Sequence, residues 1–361
     1  MTEADGSAPA QTVPGGRVLV TGATGFLGSA LVRSLLSRGA QVRVLVRSPG
    51  KARDATDRGA EAVVGDITDE AAVRAAVNGV AAVFHLAGKL LIPGVPASEY
   101  HKTHVAGTKL LLACCQEQPN LQRFVHCSTT GVLGVTGDQP ADEYGPMRPT
   151  NVYEATKAEA ELAVRDTWQE GFPAVIVRPG LVYGPGDLHL VGFFRTILRH
   201  RFRPIGHRSV WLHPIYIDDM TEALARCGQD DAAVGECFHI AGREPVLLAE
   251  LAAAIARAEG TNLPRGNIQL LAARALAVAG DRLPTRLKRL APLTRNRLDF
   301  LTNSRVYDVA KARRVLGFTA AIDVPTGITR SVAWYRLHGF LPAAAAGLNI
   351  TRTDQCESEI T

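Results

Sequence analysis

The sequence of 361 residues has no run of about 18 consecutive apolar residues, so it predicts no transmembrane helix. The first residues, MTEADGSAPAQTVPGG, include acidic side chains and no apolar centre, which is unlike a secretory signal peptide. Six cysteines are scattered without a C-x-x-C pair and without histidines at metal-ligand spacing. We therefore expect a cytoplasmic protein, kept in a reducing compartment and containing no metal site.

Aromatic residues are few, at 6% of the chain, and the formal net charge is a modest +5. Much of the positive charge lies in one stretch, opposed there by Asp281 and Asp299. The basic residues of that stretch are Arg282, Arg286, Lys288, Arg289, Arg295 and Arg297. Because no aromatic residues alternate with this charge, a nucleic-acid partner is not expected. A solvated surface is the simplest interpretation, and a contact with a membrane surface or an acidic ligand stays open.

Short β-branched segments alternate with helical segments along the first half of the chain. RVLVTG, QVRVLVR, AEAVVGD, AAVFHLAG, RFVHCST and AVIVRPG read as strands. This alternation predicts an α/β fold, a doubly wound parallel (Rossmann) sheet, followed by a smaller, mostly helical C-terminal lobe. The predicted boundaries are disordered tails at 1–15 and 341–361, a Rossmann domain at 16–185 with segments returning at about 210–242, and a substrate-binding lobe at 186–340.

The most informative stretch is VLVTGATGFLGSALVRSLLSRG, in which a strand meets three glycines and restarts at once as a helix. Gly22 allows a tight turn, Gly25 lets the backbone approach a ligand, and Gly28 lets the helix pack close to the sheet. The unpaired N–H groups and the positive dipole end of the helix then face that ligand. The stretch predicts a binding site for the pyrophosphate of a dinucleotide.

The G-x-x-G-x-x-G spacing resembles that of the extended short-chain dehydrogenases/reductases, over about residues 16–340. IVRPGLVYGPGD, WLHPIYIDDMTEAL and NSRVYDVAKARRVLGF are also typical of extended members. The resemblance implies that Asp66 meets the adenine amino group with Ile67 beside the ring, and that Pro179 lines the nicotinamide side. The cofactor residues it implies, apart from the basic pair and the catalytic helix discussed next, are Gly22, Thr24, Gly25, Phe26, Leu27, Gly28, Asp66, Ile67, Leu86, Ala87, Gly88 and Pro179.

The end of the second strand indicates which dinucleotide is preferred. An acidic residue there would bind the adenosine ribose hydroxyls and favour NAD(H), but the sequence has Val46, followed by Arg47 and, four residues later, Lys51. A guanidinium pairs well with a 2′-phosphate. The sequence therefore favours NADP(H), and NAD(H) remains an alternative.

The predicted helix NVYEATKAEAELAV carries Tyr153 and Lys157 four residues apart, so that both side chains share one face. Tyr153 would exchange a proton with the substrate oxygen, and Lys157, together with the cofactor ring, would lower the phenol pKa and hold the ribose. Alignment on Gly134 implies that Thr129 is the catalytic hydroxyl that orients the substrate, with Ser128 as the alternative.

The sequence departs from the family pattern at three places. His104 stands where the family normally has asparagine, so the sequence does not decide how protons reach the site. Leu212 and His213 stand where nucleotide-sugar epimerases and dehydratases usually have a phosphate-binding arginine, and Thr130 replaces the acidic residue of dehydratases. The C-terminal part looks more like 3β-hydroxysteroid dehydrogenase-type or dihydroflavonol reductase-type members.

We therefore expect an NAD(P)-dependent oxidoreductase acting on a secondary alcohol or ketone of a bulky hydrophobic small molecule. A nucleotide-sugar epimerase/dehydratase is the alternative, with Arg195, Arg199 or Arg201 able to supply phosphate contacts. A non-catalytic NADP(H)-binding protein is a minor alternative, because such proteins tend to lose the tyrosine or the lysine. A homodimer is left open.

Overall fold

A computed structural model describes residues 15–284, 291 and 293–343. The predicted tails at 1–15 and 341–361 lie outside this part of the chain except for residues 15 and 341–343. Arg286, Lys288 and Arg289 of the basic stretch also lie outside it.

The strands, in chain order, are β1 (Arg17–Thr21), β2 (Val42–Val46), β3 (Glu61–Val64), β4 (Val80–His85), β5 (Arg123–Cys127), β6 (Gly137–Ala141), β7 (Ala174–Pro179), β8 (Leu181–Tyr183), β9 (Trp211–Leu212), β10 (Pro214–Tyr216), β11 (Cys237–Ile240), β12 (Val246–Leu247) and β13 (Arg305–Tyr307).

The α-helices are α1 (Phe26–Ser37), α2 (Pro49–Asp57), α3 (Glu70–Val77), α4 (Ala97–His101), α5 (Gly107–Gln116), α6 (Val152–Trp168), α7 (Val191–Leu198), α8 (Ile217–Gln229), α9 (Leu248–Glu259), α10 (Leu270–Asp281), α11 (Arg295–Thr302), α12 (Ala310–Leu316) and α13 (Val324–Leu337). A π-helical turn, Lys102–Ala106, joins α4 to α5.

The main sheet has seven strands in the order β11-β7-β5-β4-β1-β2-β3, and all its pairings are parallel. Both faces are covered, which explains the apolar strands. Val18 and Val20 of β1 pack with Leu31 of α1 on one face. Leu19, between them, packs with Val73 of α3 on the other. The predicted doubly wound parallel sheet is confirmed.

The C-terminal part is mostly helical, as predicted. Its core lies between α7, α9 and α13, where Phe194, Leu251 and Tyr335 are buried. Helix α10 and helix α11 pack against each other beside it. Three two-stranded sheets, β8 with β10, β9 with β12 and β6 with β13, are separate from the main sheet.

The carboxyl ends of β1, β4, β5 and β7 meet at one edge of the main sheet. The strand order reverses between β1 and β4, and such a switch point is where open α/β sheets bind ligands. This edge brings together Gly22, Leu86, Thr129 and the end of β7 at Pro179. The fold therefore gathers the residues that the sequence singled out from separate segments.

Candidate active site

The turn between β1 and α1 requires glycine at two of its positions. Gly22 has a φ of +70°, and a Cβ there would lie 2.6 Å from the carbonyl carbon of Leu86. A Cβ on Gly28 would lie 2.1 Å from the carbonyl oxygen of Gly22. The N-cap residue of α1, Gly25, has no side chain to bind the first N–H groups of the helix. The turn therefore presents backbone N–H groups and the positive helix end to an anion, which fits the pyrophosphate of a dinucleotide.

Thr24, Phe26 and Leu27 lie on the same turn. Thr24 is exposed, whereas Phe26 and Leu27 are half-buried. A Cβ on Gly186, in the loop after β8, would lie 3.5 Å from the Phe26 ring. The loop after β8 thus borders the first turn of α1, so both can line the same groove.

Arg47 and Lys51 lie beyond the carboxyl end of β2, the strand beside β1. Val46 is buried and Arg47, the next residue, is exposed; Lys51 is exposed on α2. No hydrogen bond or ion pair joins either side-chain cation to another described residue. Both cations are available to an anionic ligand at this end of the groove.

Asp66 follows β3 and has a fixed orientation. Its Oδ1 accepts hydrogen bonds from the backbone N–H of Thr68 at 3.1 Å and from the Thr68 hydroxyl at 2.8 Å. The neighbouring Ile67 is buried against α5, since a Cβ on Gly107 would lie 2.9 Å from its side chain. Both residues thus have defined contacts just beyond β3, and their contact with adenine stays a prediction of the family resemblance.

The end of β4 is fixed by a chain of buried polar groups. The Thr21 hydroxyl accepts the backbone N–H of Ala87 at 3.2 Å and lies 2.8 Å from Nδ1 of His85. The other ring nitrogen of His85 lies 2.9 Å from the Thr108 hydroxyl. Burial lowers the pKa of His85 to about 3, so the ring is neutral. These contacts position Leu86, Ala87 and Gly88 along the groove.

Helix α6 carries Tyr153 and Lys157 towards the end of β5. Asn151 caps the helix by accepting the Glu154 N–H at 3.0 Å. Tyr153 is half-buried, and Lys157 is buried with 5% of its surface exposed. The Lys157 ammonium donates to the carbonyl oxygen of Cys127 at 2.5 Å. Lys157 therefore links α6 to the last residue of β5 through a hydrogen bond.

Burial controls the ionisation of both side chains. It raises the pKa of Tyr153 above the usual value of a phenol, and a hydrogen bond with Thr129 only partly opposes the rise. Burial also lowers the pKa of Lys157. The expectation that Lys157 and the bound cofactor ring together lower the phenol pKa concerns the cofactor-bound enzyme and stays a prediction. With the protein groups alone, Tyr153 carries its proton at neutral pH.

The three hydroxyls after β5 point to different partners. Ser128 donates to Oε2 of Glu161 at 2.6 Å, beneath the site, and Thr130 donates to the carbonyl oxygen of Pro179 at 2.9 Å. Thr129 accepts the N–H of Gly131 at 3.1 Å and shares a hydrogen bond with Tyr153. Thr129 is therefore the hydroxyl of the three that lies beside the phenol.

A buried charge cluster below the catalytic helix was missed in the sequence. Glu161, fully buried, accepts hydrogen bonds from Arg178 at 2.7 Å and from Arg165 at 2.9 Å. Burial opposes ionisation of Glu161, but the hydrogen bonds from Arg178 hold its pKa below the usual range. The available signal was an arginine within the apolar segment AVIVRPG, since such a residue needs a buried partner.

His104 lies in the π-helical turn and joins three segments. Its Nε2 accepts the backbone N–H of Lys89 at 2.8 Å, and its Nδ1 lies 2.8 Å from the Thr156 hydroxyl. Nε2 must therefore lack a proton, which places the proton of the neutral ring on Nδ1. Burial lowers the pKa of His104 to about 3. The ring meets Tyr153 edge to face, with 5.6 Å between centroids.

Leu212 and His213 are buried and do not replace the arginine of nucleotide-sugar enzymes. Nε2 of His213 lies 2.8 Å from the Gly242 carbonyl oxygen, and burial lowers its pKa. Among the described residues, no group of histidine, cysteine, aspartate and glutamate side chains could hold a metal ion.

A cavity of about 180 Å³ lies in the C-terminal lobe. Its lining is mainly apolar, with a polar rim. The apolar residues are Phe202, Pro204, Ile205, Val210, Leu247, Leu248 and Leu301. The rim contains His207, Arg208, Ser209 and Asn267.

Known proteins resemble the chain along most of its length. A ketoreductase of Stigmatella aurantiaca, 4-hydroxy-2-methyl-3-oxo-4-farnesyl-3,4-dihydroquinoline-1-oxide ketoreductase, is 30% identical over 86% of this chain and 94% of its own. A 3 beta-hydroxysteroid dehydrogenase/Delta 5-->4-isomerase of Mycobacterium tuberculosis is 31% identical, over 89% of this chain and 90% of its own. A solved dTDP-glucose 4,6-dehydratase of Streptomyces venezuelae, with NAD bound, has a TM-score of 0.71 and 26% identity, over 89% of this chain and 97% of that one.

A family model described as the NAD dependent epimerase/dehydratase family matches residues 18–241. The match begins in β1 and ends just after β11, so it contains the whole main sheet apart from its first residue. The chain therefore belongs to the NAD-dependent epimerase/dehydratase family, within the extended short-chain dehydrogenases/reductases, and is an NAD(P)-dependent enzyme.

Proposed function

We propose that this enzyme transfers hydride between NADP(H) and a secondary alcohol or ketone of a bulky hydrophobic, steroid-like molecule. The observation that carries the proposal is the grouping of Thr129, Tyr153 and Lys157 at the carboxyl end of β5, on the sheet edge that contains the switch point. The names of the two curated relatives, a ketoreductase and a hydroxysteroid dehydrogenase, support the oxidoreductase class.

The bound nicotinamide supplies or accepts the hydride. Tyr153 Oη donates a proton to the substrate oxygen in reduction and takes it back in oxidation. The Thr129 hydroxyl binds the same oxygen and aims it at the phenol. Burial keeps Tyr153 protonated at neutral pH, the form that can donate a proton in reduction. Lys157 fixes the end of β5, and we expect its ammonium to hold the nicotinamide ribose.

Preference for NADP(H) rests on Arg47 and Lys51. Both are exposed beyond β2, beside the glycine turn that fits the pyrophosphate. Val46 leaves this end of the groove without the carboxylate that would bind ribose hydroxyls and repel a 2′-phosphate. NAD(H) is the alternative cofactor.

A hydrophobic substrate is favoured by the substrate side of the site. The buried Leu212 and His213 offer no cation for a sugar-nucleotide phosphate. An apolar ring system gains about 25 cal/mol per Å² of buried surface and needs a single polar anchor, the reacting oxygen.

The direct test follows NADPH oxidation with a panel of steroid-like and smaller ketones. Turnover with bulky ketones, lost in Tyr153→Phe, is the expected result. Absence of turnover with every ketone and alcohol, in either direction and with either cofactor, contradicts the proposal.

A nucleotide-sugar epimerase/dehydratase is the second candidate, and Arg208 is the observation that favours it. Arg208 lines the 180 Å³ cavity together with Asn267, and an arginine there could pair with a diphosphate. Of the arginines considered in the sequence, Arg195 donates instead to the carbonyl oxygen of Phe340. If uridine or thymidine diphosphate raises the melting temperature of the protein and the ketones do not, the epimerase/dehydratase function replaces the first proposal.

We also propose that the enzyme works in the cytoplasm. The five described cysteines are free and buried, which suits a reducing compartment. No helix in the described part of the chain is long and apolar enough to cross a membrane. A homodimer stays a prediction, which sedimentation equilibrium tests.

A further inference from the structure

Helix α10 turns two of its three leucines away from the protein, whereas Leu270 packs against the cluster that contains Ala273 and Ala277. Its buried residues are the small Ala273, Ala277 and Gly280. A Cβ on Gly280 would lie 2.1 Å from the carbonyl oxygen of Leu293, so the inner side of the helix is closely packed. On the opposite side, Leu271 is 77% exposed and Leu276 is 45% exposed. This is the reverse of the usual amphipathic arrangement.

We call the outer side the α10 face. It consists of Leu271, Ala272, Ala275, Leu276 and Ala279, all exposed. These residues lie within one arc of the helix, and no charged side chain interrupts the arc before Arg282, just past the helix end. A continuous exposed apolar strip of this kind indicates a surface that is covered in use.

Positive charge surrounds the α10 face. Arg265 precedes α10, Arg274 lies on its flank, Arg282 follows it, and Arg295 and Arg297 begin α11, which packs against α10; all five are exposed. Within the described residues 265–282 and 293–302, the acidic residues are Asp281, which lies 3.5 Å from Arg295, and Asp299, which is paired with Arg305.

The charge pattern decides between the partners that could cover the face. A second copy related by a two-fold axis would set the same patch opposite itself, bringing the arginines around one α10 face close to those around the other. Such like-charge pairs disfavour a dimer at this surface. An anionic lipid surface satisfies both features, because the leucines enter the headgroup boundary while the arginines meet lipid phosphates.

We propose that the α10 face docks this protein on an anionic membrane surface, with Leu271 and Leu276 inserted and the surrounding arginines on the headgroups. The helix has 12 residues, a length of about 18 Å, so it lies on the bilayer and does not cross it. The docking does not depend on the proposed reaction, and its test uses no substrate.

The test is co-sedimentation of the full chain with vesicles of phosphatidylcholine, alone or mixed with phosphatidylglycerol. Wild type should bind the mixed vesicles and lose binding at high salt. Leu271→Glu should weaken the partition at least about tenfold. Leu337→Glu is the matched control, since Leu337 is 82% exposed on α13, and it should bind like wild type.

A second variant protects the test against a folding defect in the first. Arg274→Glu combined with Arg282→Glu changes exposed side chains only and should weaken the partition at least about tenfold. The proposal is overturned if the wild-type protein sediments with neither kind of vesicle. It is also overturned if Leu271→Glu and Leu337→Glu bind the mixed vesicles equally well. Light scattering that shows a wild-type dimer split by Leu271→Glu, without vesicle binding, also overturns it and assigns the face to a second copy.

Discussion

At the residue scale, the three consecutive hydroxyls after β5 have different roles. Ser128 faces down to Glu161, Thr130 is bound to the Pro179 carbonyl, and Thr129 lies beside Tyr153. The sequence could place these three hydroxyls at the edge of the sheet, because the strand RFVHCST is predicted from its composition and Gly134 aligns with the family pattern. It could not choose between Ser128 and Thr129, because the partner of each hydroxyl comes from a distant segment.

Thr129→Ala should lower kcat on the order of 10²-fold, because it removes a hydrogen bond to the reacting oxygen. Thr129→Ser should retain most activity. Ser128→Ala should instead lower the free energy of unfolding by about 1–3 kcal/mol, since Glu161 loses a buried donor. Steady-state kinetics and urea unfolding of the three variants separate the roles, and a larger loss of kcat in Ser128→Ala would reverse them.

Tyr153→Phe should keep cofactor binding and lose turnover by about 10²–10⁴-fold, because the phenol proton is needed only where charge develops on the substrate oxygen. Lys157→Met should impair both, since Lys157 also fixes the end of β5 through Cys127. Fluorescence titration with NADPH and measurement of kcat test this. Near wild-type kcat in Tyr153→Phe would show that another group supplies the proton.

Arg47→Asp should narrow or reverse the preference for NADPH over NADH. A charge-assisted pair contributes about 1.5–3 kcal/mol, so the wild-type ratio of dissociation constants should be roughly tenfold or more. Arg58→Asp is a control, because Arg58 is an exposed residue at the far end of α2, paired with Asp54. Equal dissociation constants for the two cofactors in wild type would contradict the prediction.

At the scale of elements, the π-helical turn fixes His104 between the loop after β4 and helix α6. The ring accepts from Lys89 and contacts Thr156, the residue before Lys157. The sequence does not predict the π-helical turn, because Lys102–Ala106 contains no glycine or proline that would mark an irregularity in the helix. The sequence shows that His104 replaces the asparagine usual in the family. It does not show the hydrogen bonds that the histidine makes.

The pH dependence of turnover should show no ionisation of His104 between pH 5 and 8. Burial lowers its pKa from 6.5 to about 3, so the neutral ring persists across that window and charges only below it. His104→Asn should retain more activity than His104→Leu, because an amide can still accept from Lys89. A wild-type limb near pH 6.5 that disappears in His104→Asn would contradict this assignment.

The C-terminal end of α9 contains a carboxylate that destabilises the fold when ionised. Neither oxygen of the buried Glu259 has a partner among the described residues, and burial raises its pKa from 4.5 to about 8, with Arg336 opposing. Between these values the folded chain holds a proton that the unfolded chain has lost. The contribution of Glu259 to stability is therefore greatest below pH 4.5 and falls as pH rises towards 8, by about 1.4 kcal/mol per pH unit.

Glu259→Gln should unfold at higher urea concentration than wild type at pH 9, and the difference should shrink towards pH 5. Glu244→Gln, at an exposed position just before β12, should leave the curve unchanged. A difference between Glu259→Gln and wild type that stays constant with pH would contradict the raised pKa.

At the scale of the whole molecule, the main sheet was predictable because its strands, apart from the edge strand β3, are buried on both faces and are mostly apolar. Helices α1 and α6 were also predicted, from the segment after the three glycines and from NVYEATKAEAELAV. The small sheets, such as β9 with β12, were not, because strands of two residues are too short for any periodicity.

The position of β11 has a consequence for synthesis of the protein. This strand ends the main sheet beside β7, but residues 180–236 separate the two along the chain. A ribosome therefore completes every predicted cofactor and catalytic residue while the outer backbone of β7 is still unpaired. We expect a fragment that stops at residue 185 to aggregate through this open edge, and one that continues to residue 242 to aggregate less. Nascent chains should depend on chaperones most strongly in that interval.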